Sequence, residues 1–507
     1  MNAPELWTTV AIVGPLAAAV VSLGGGRRHI LGGLALGALA SCSAAVALVR
    51  TVFERGVVRH HMGGWGQPLG IELRVDGLSV VMLATTAVVG TAISFYATSY
   101  FGDAADPRVE RSPAGRGARF FAPLWLFLWT ALNGIYLSAD LFNLYVTLEM
   151  LGLSSAALVT LAVSNKAVEA GMRYLLVSLT GSLLFLFGVA LLYLGYGTLS
   201  LEGLGALEPS GTPAIWALAV MTVGLAAKTA LFPLHAWLPP AHAAAPAPAS
   251  ALLSALVVKA SFYVLARLWL HVYGVGMPGG ALGRPALVVL GVLGGAAIIW
   301  GSLLALRQVS LKRLIAYSTV AQLGYLFIMF PLLPPVEGLG GGGGWSVPAF
   351  SGGIYHALSH ALAKGAMFMA AGSMSYAVAD DDIRAVSGVA HRLPMSFLAF
   401  GIGGLSLAGI PPSGGFVAKW LLLTAALESG RWLWAGVIVV GGLLTLAYVL
   451  LVARYALDVE REPASFRSVP RRMEWAALGL AVLAVILGLR AVEVLELLSV
   501  GGFAPWR

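Results

Sequence analysis

Glu149, Lys228, Lys259, Lys364 and Lys419 each stand well inside an apolar run of the sequence. A charged side chain at mid-membrane costs about 2.5–3.5 kcal/mol even on the lenient insertion scale. Five such charges in one chain point to a path for ions or protons rather than to chance. His356 and His360 precede Lys364 at spacings of i, i+4 and i+8. That spacing sets all three along one helix face, drifting by about 80° in total. An imidazole titrates near neutral pH and can pass a proton either way. Two His at i, i+4 is also a metal spacing, but no Glu follows His356 as a zinc-protease pattern requires, and no third ligand is evident. Satisfied structural histidines are a further reading.

Glu149 and Lys228 invite a pairing argument. Low dielectric disfavours an isolated carboxylate or ammonium, and a close partner reverses that. A Glu–Lys pair able to separate is therefore a switch. Its alternative is a static buried ion pair that fixes helix register. Four mid-segment lysines against one glutamate favour the switch, because static pairing calls for near balance.

Bilayer-spanning helices must position these groups. The chain has 507 residues, of which 59% are hydrophobic and 11% charged, and a mean hydropathy of +0.86. A soluble domain is nearer a quarter charged. These values describe an all-α polytopic membrane protein. Fourteen apolar segments are expected, at 7–23, 30–52, 77–101, 120–138, 141–163, 170–196, 213–233, 249–273, 286–306, 311–333, 351–379, 395–424, 431–456 and 473–499. Residues 1–507 then form a single membrane domain, with no extramembrane unit. Of the 31 Lys and Arg residues, 18 fall in odd-numbered loops, 9 on the other side, and four are the mid-segment lysines. This bias places the odd loops in the cytoplasm and both termini outside. No cleavable leader is expected, since Met1–Trp7 carries no positive charge. The single Cys42 excludes a disulfide framework, a CxxC pair and a Cys-ligated cluster. The net charge of +8 lies in scattered loop arginines, not in an aromatic-interleaved stripe that would bind nucleic acid.

Two segments look broken. Segment seven runs from Lys228 through Pro233, Pro239 and Pro240, and segment twelve passes Gly409, Pro411, Pro412, Gly414 and Gly415 before Lys419. Proline removes a backbone donor and clashes with the preceding turn. In lipid such breaks persist only against protein or a wetted cavity. Paired interruptions in two halves indicate inverted repeats around a transport site. Segments four to eight (120–273) would match nine to thirteen (286–456), with Lys228 corresponding to Lys419. His235 and His242 flank the first break, and could line an aqueous mouth or cap loose carbonyls. Ser318, Thr319, Gln322 and Tyr325 could hold water, though Ser and Thr often bond to their own helix. The run Gly340–Gly344 reads as a flexible outer loop. Asp380, Asp381 and Asp382 read as a loop or helix cap rather than a metal site.

At these residues the chain resembles the proton-translocating antiporter-like subunits of Mrp-type multisubunit cation/proton antiporters, respiratory NADH:quinone oxidoreductase and membrane-bound hydrogenases. The resemblance rests on Asp140-Leu-Phe-Asn-Leu-Tyr-Val-Thr-Leu-Glu149, Lys228-Thr-Ala-Leu-Phe-Pro-Leu-His-Ala-Trp-Leu-Pro239, Leu311-Lys-Arg-Leu-Ile-Ala-Tyr-Ser318, His356-Ala-Leu-Ser-His360-Ala-Leu-Ala-Lys364 and Gly409-Ile-Pro-Pro-Ser-Gly-Gly-Phe-Val-Ala-Lys419. It covers roughly 70–500. The wording around Glu149, and a lysine at 419, most resemble Mrp D subunits. Pro412-Ser-Gly-Gly departs from the Pro-Leu-Ser-Gly common in relatives, which implies altered loop packing.

The resemblance implies a fourteen-helix fold with two inverted five-helix repeats. It implies a half-channel in each repeat, joined by a row of ionisable residues at Glu149, Lys228, Lys259 and Lys419. The expected function is a proton-translocating subunit of a multisubunit Na⁺/H⁺ antiporter in a bacterial inner membrane, with other integral membrane subunits, protons and a monovalent cation, expected to be Na⁺, as partners. The alternative is the proton-pumping membrane subunit of a hydrogenase- or quinone-linked redox complex. In either case no cofactor and no catalytic site of its own are expected. A static scaffold whose charges are buried pairs is the remaining reading.

Overall fold

The computed structural model describes residues 3–24, 26–65, 70–102, 113–274, 283–334, 346–459 and 466–501. The run Gly340–Gly344 lies outside the described residues. The helices are α1 (Ala3–Ser22), α2 (Arg27–Arg55), α3 (Gly77–Tyr100), α4 (Pro113–Leu137), α5 (Leu141–Thr160), α6 (Asn165–Tyr196), α7 (Leu201–Leu207), α8 (Gly211–Lys228), α9 (Leu238–Ala244), α10 (Ala247–Leu252), α11 (Val258–Arg267), α12 (Gly283–Leu306), α13 (Leu311–Leu332), α14 (Val347–Val378), α15 (Val389–Arg392), α16 (Pro394–Ala408), α17 (Gly414–Glu428), α18 (Trp432–Leu457), α19 (Arg471–Leu489) and α20 (Ala491–Ser499). A π turn at Leu253–Val257 joins α10 to α11, and a second at Leu268–Val272 ends that span. Strands β1 (Val58–His61) and β2 (Glu72–Val75) form an antiparallel hairpin with Val58 opposite Val75.

Among the described residues, twelve helical spans are long and apolar enough to cross a membrane. The broken pair α16–α17 and the 32-residue α14 supply two more crossings, so every apolar segment of the sequence falls on a helix or a broken pair. Helix α14 carries His356, His360 and Lys364 because almost none of it meets lipid: it is buried from Ala349 to Met374. The span from α10 to α11 and helix α13 are buried almost throughout. These three form the inner layer, ringed by helices with exposed Leu, Val and Trp.

The loops sort onto two faces. On one, the hairpin meets the segments after α4, α6 and α20: Ala139 N donates to Glu72 O (3.1 Å), Leu201 N to Ala139 O (2.9 Å) and Gly77 N to Val500 O (2.9 Å). Thr8 in α1 contacts His60 Nδ1 at 2.7 Å, so both ends of the described chain lie on this face. On the other, Leu311 N donates to Asp381 O (2.7 Å), Arg467 N to Ala377 O (2.8 Å) and Lys312 Nζ to Ala245 O (3.1 Å). Odd and even loops therefore separate as an even number of crossings requires. Asp382 caps the following turn through Arg384 N (2.7 Å), and Asp381 tethers Ser310, so this triplet is a loop and cap.

Arg267, one of the nine Lys and Arg residues counted on the outer side in the sequence, instead lies within the α10–α11 span. It forms a bidentate pair with Asp76, at 2.6 Å to each carboxylate oxygen, and both side chains are buried. Asp76 also caps α3 through Ser79 N (3.0 Å). This cluster fastens the start of α3, and with it the hairpin, to the inner layer.

Candidate functional site

Lys228 is the last residue of α8. The chain turns there because Ala230 takes a left-handed backbone (φ +58°), and the helix does not resume until Leu238. Carbonyls freed at the end of a helix need donors. Thr229 Oγ1 serves Leu225 O (2.7 Å) and Trp237 Nε1 serves Ala227 O (2.9 Å). The Lys228 side chain crosses to α6, where Nζ donates to Ser178 O (3.1 Å), Ser178 Oγ (2.8 Å) and Ser182 Oγ (2.7 Å). Glycines permit this close crossing: a Cβ on Gly181 would lie 2.9 Å from Lys228 Cγ, and one on Gly224 would lie 2.3 Å from Gly181 O.

Glu149 is half-buried on α5 and makes no hydrogen bond to Lys228 among the described residues. The two charges still attract each other. Gly152, one turn along from Glu149, faces the ammonium, with its Cβ position 3.5 Å from Nζ. The pair is thus neighbouring but separated, with serines holding the lysine.

The centre of the inner layer gathers the next groups. Lys259 follows the first π turn and donates to Ser254 O, while Ser254 Oγ bonds Thr319 Oγ1 (2.8 Å) on α13. Lys364 on α14 donates to Ile315 O (2.9 Å) and to Ser318 Oγ. Lys259 and Lys364 repel one another, and both act on His360. The rings of His356 and His360 stack, with centroids 5.8 Å apart. His356 Nε2 contacts Gln322 O (3.1 Å). His356 Nδ1, both His360 nitrogens and Gln322 Oε1 are buried with no protein partner.

Lys419 sits one turn into α17, beyond the second break. Its Nζ donates to Leu407 O (2.6 Å) and Ala408 O (3.3 Å), the last carbonyls of α16, and lies 4.2 Å from the Tyr325 ring centroid. A cation at a helix C-terminus meets the negative end of the helix dipole. Gly409 makes the approach possible: its φ is +89°, and a Cβ there would meet Lys419 Cδ at 2.9 Å. A cavity of about 200 Å³ opens beside Lys419 between α16, α17 and α18. Pro233, Pro411 and Pro412 at the two breaks are exposed on the outside of the chain, while both lysines point inward.

Five of the sequence-selected groups, Lys259, His356, His360, Lys364 and Lys419, thus share one buried, electrostatically linked cluster. Lys228 and Glu149 stand apart from it, and no hydrogen bond joins Lys228 to Lys259 among the described residues. His235 stacks on Phe232 at the first break, half-buried and away from that cluster. Gln322 faces the cluster through its carbonyl, and its side-chain amide reaches Thr445 Oγ1 (3.0 Å). Sequence reasoning left His242 undecided and did not find Ser178 and Ser182. The signal for the serines was their i, i+4 spacing in an otherwise lipid-facing segment. Hydrogen bonds to a charged group are each worth about 1.5–3 kcal/mol. Ser178→Ala combined with Ser182→Ala is therefore expected to slow any transport through Lys228 by about tenfold or more, measured as ion flux in vesicles carrying the assembled protein.

The family model described as NADH:quinone oxidoreductase/Mrp antiporter, transmembrane, matches residues 138–445. The chain is 37% identical over 420 residues to the N subunit of NADH-quinone oxidoreductase from Desulforudis audaxviator, which covers 82% of this chain and 78% of the relative. It is 29% identical over 460 residues to the D subunit of the Na(+)/H(+) antiporter from Alkalihalophilus pseudofirmus, covering 89% of this chain and 87% of the relative. Its fold matches a chain in the structure of the Mrp complex from a Dietzia species with a TM-score of 0.85 at 27% identity, covering 98% of this chain and 96% of that one.

Proposed function

The chain belongs to the NADH:quinone oxidoreductase/Mrp antiporter transmembrane family, and from that premise we propose that it is the proton-translocating membrane subunit of a multisubunit cation/proton antiporter. The observation that carries this reading is the buried cluster of three lysines and two histidines on the inner helices and α17. Buried polar atoms almost always have a partner, in protein or in ordered water. The imidazole nitrogens and the Gln322 oxygen lacking a protein partner therefore call for water along the cluster, and a wetted row of titratable groups can hand on a proton.

In this mechanism a proton reaches Lys228 or Lys259, moves by way of His360, His356 and Lys364, and leaves beside Lys419 through the cavity there. Displacement of Glu149 relative to Lys228 sets the occupancy of the row. The two repeats are 120–273 and 286–456. The break after Lys228 and the break before Lys419 support that division. So do the glycine crossings beside each lysine, Gly181 on Gly224 and Gly352 on Ala418. Irregular backbone at membrane depth needs protein or a cavity over it, so the exposed prolines at both breaks support cover by neighbouring membrane subunits. The Lys and Arg bias assigns the odd-loop face to the cytoplasm of a bacterial cell and both termini to the outside.

Sequence likeness to a quinone oxidoreductase subunit supports a second reading, a proton pump driven by redox subunits in other chains. Purifying the native complex and measuring exchange in inside-out vesicles separates the two. An antiporter co-purifies with small membrane subunits and dissipates an imposed pH gradient when Na⁺ is added. Co-purifying flavin or iron–sulfur subunits, with no cation-induced change in the gradient, would overturn the antiporter reading in favour of the second.

A further inference from the structure

A groove of about 380 Å³ runs between α8 and α12, and Val223, Val289 and Leu234 along it are exposed toward the bilayer. Among its described lining residues only Thr222 and Trp269 carry polar side-chain atoms, and these bond to each other, Trp269 Nε1 donating to Thr222 Oγ1 (3.1 Å). Both helices start on the hairpin face, where Tyr273 Oη, just before α12, donates to Ala214 O at the start of α8 (2.9 Å). From Ile215 and Gly283 at that end the groove descends to residues 231–234, and it stops at the first break. The rise along α8 from Ile215 to Ala226 is about 16 Å, close to half of the roughly 30 Å of hydrocarbon in a bilayer. Half of that thickness is what the acyl chains of one leaflet fill. A spanning helix of another subunit would run on past the break, where the groove ends. The open end carries positive charge. Arg284 stands on the first turn of α12, between the groove-lining Gly283 and Ala286. Arg431, which donates to Pro331 O and Pro334 O, is close enough for the two guanidiniums to repel each other. The positive end of the α12 dipole adds to both.

We propose that this groove binds an anionic phospholipid of the leaflet on the hairpin face, with one acyl chain lying between α8 and α12 down to Phe232 and its phosphate at Arg284 and Arg431. Hydrocarbon surrounds the tail inside the groove and outside it, so hydrophobic burial does not hold it there. The fit of the walls and the arginine rim do, because clustered basic side chains at the membrane surface select acidic headgroups. The seated chain keeps water off the outer side of the first break and leaves Pro233 to be covered by a neighbouring subunit. Such a site depends on the bilayer-spanning fold alone and holds whether or not the chain carries protons.

The test uses the assembled complex in phosphatidylcholine vesicles that contain a trace of phosphatidylglycerol with a photoactivatable diazirine at the end of one acyl chain. After illumination, peptide mapping is expected to find adducts at residues 231–234 of this chain. Their yield should exceed that from a matching phosphatidylcholine probe by about tenfold or more, the scale of two basic side chains at a lipid surface. Arg284→Gln combined with Arg431→Gln should bring the phosphatidylglycerol yield down to the phosphatidylcholine level. Ala219→Trp and Ala286→Trp each fill the groove and should remove the adducts. Equal yields from the two probes, adducts that persist in both tryptophan variants, or adducts only on a neighbouring subunit lying over the groove would overturn the lipid site. Should the substituted chains not assemble, the comparison of the two probes on the native complex decides by itself.

Discussion

Lys228→Ala is expected to abolish ion exchange by the assembled complex, with a loss of about 10²–10⁴-fold. The side chain stands at the last turn of α8, held by three oxygens of Ser178 and Ser182. Alanine is a strong helix former, and the next turn is set by Ala230, Thr229 and Trp237, so the break should survive the change. What disappears is a buried titratable side chain within electrostatic reach of Glu149. Lys228→Arg should fail as well. A guanidinium keeps its charge but does not release its proton, so a purely structural cation would be rescued and a proton carrier would not. Subunit assembly is read on native gels and exchange as the collapse of a pH gradient. Full exchange by an assembled Lys228→Ala variant would remove the lysine from the path.

Arg267→Met should destabilise the protein by about 3–5 kcal/mol, the scale for removing one partner of a buried pair. Burial opposes the charge on Asp76, but the Arg267 guanidinium more than offsets it and holds the carboxyl well below the usual carboxylate range. Arg74, at 3.1 Å, is the lesser partner and is more exposed. Because the folded carboxyl is depressed, its contribution is present above about pH 3.9 and lost as pH falls toward the lower folded value. Without Arg267, the cap of α3 becomes an under-compensated buried anion and the hairpin loses its anchor. Thermal melting of the purified complex should show a large downward shift. Asp76→Asn combined with Arg267→Met should recover much of it, since the stranded charge is then gone. Equal melting of wild type and Arg267→Met would mean the pair is energetically idle.

Hydropathy made the fourteen crossings legible, because lipid-facing helices must be apolar whatever their partners. The inner layer was readable for the opposite reason: charges on α14 and α11 have no business in lipid, and both helices proved buried. Breaks were visible through Pro233, Pro411 and Pro412, since proline states its backbone demands locally. Contacts between distant segments were not visible. Arg267 lies at the end of an apolar run and reads as a loop residue until Asp76, 191 positions earlier, is seen beside it. The hairpin of Val58–His61 and Glu72–Val75 is too short and too polar to announce itself. His242 looked like His235, seven residues away, and only the path of the interrupted chain turns one inward to the lysines and leaves the other near the rim. The spacing of Glu149 and Lys228 could not be read at all, because a separated and a closed pair have the same sequence.

The wide turn at Leu253–Val257 closes its hydrogen-bonded ring over five residues rather than four and so stores one residue beyond a regular turn. At about 100° per residue, that surplus sets the compass bearing of everything after it. Lys259 therefore points at its partners on account of how many residues precede it, not which ones. Shortening the stretch by a single alanine would leave its greasiness untouched and swing the lysine a quarter-turn or more off course, along with Tyr263 and Arg267 further down the same shaft.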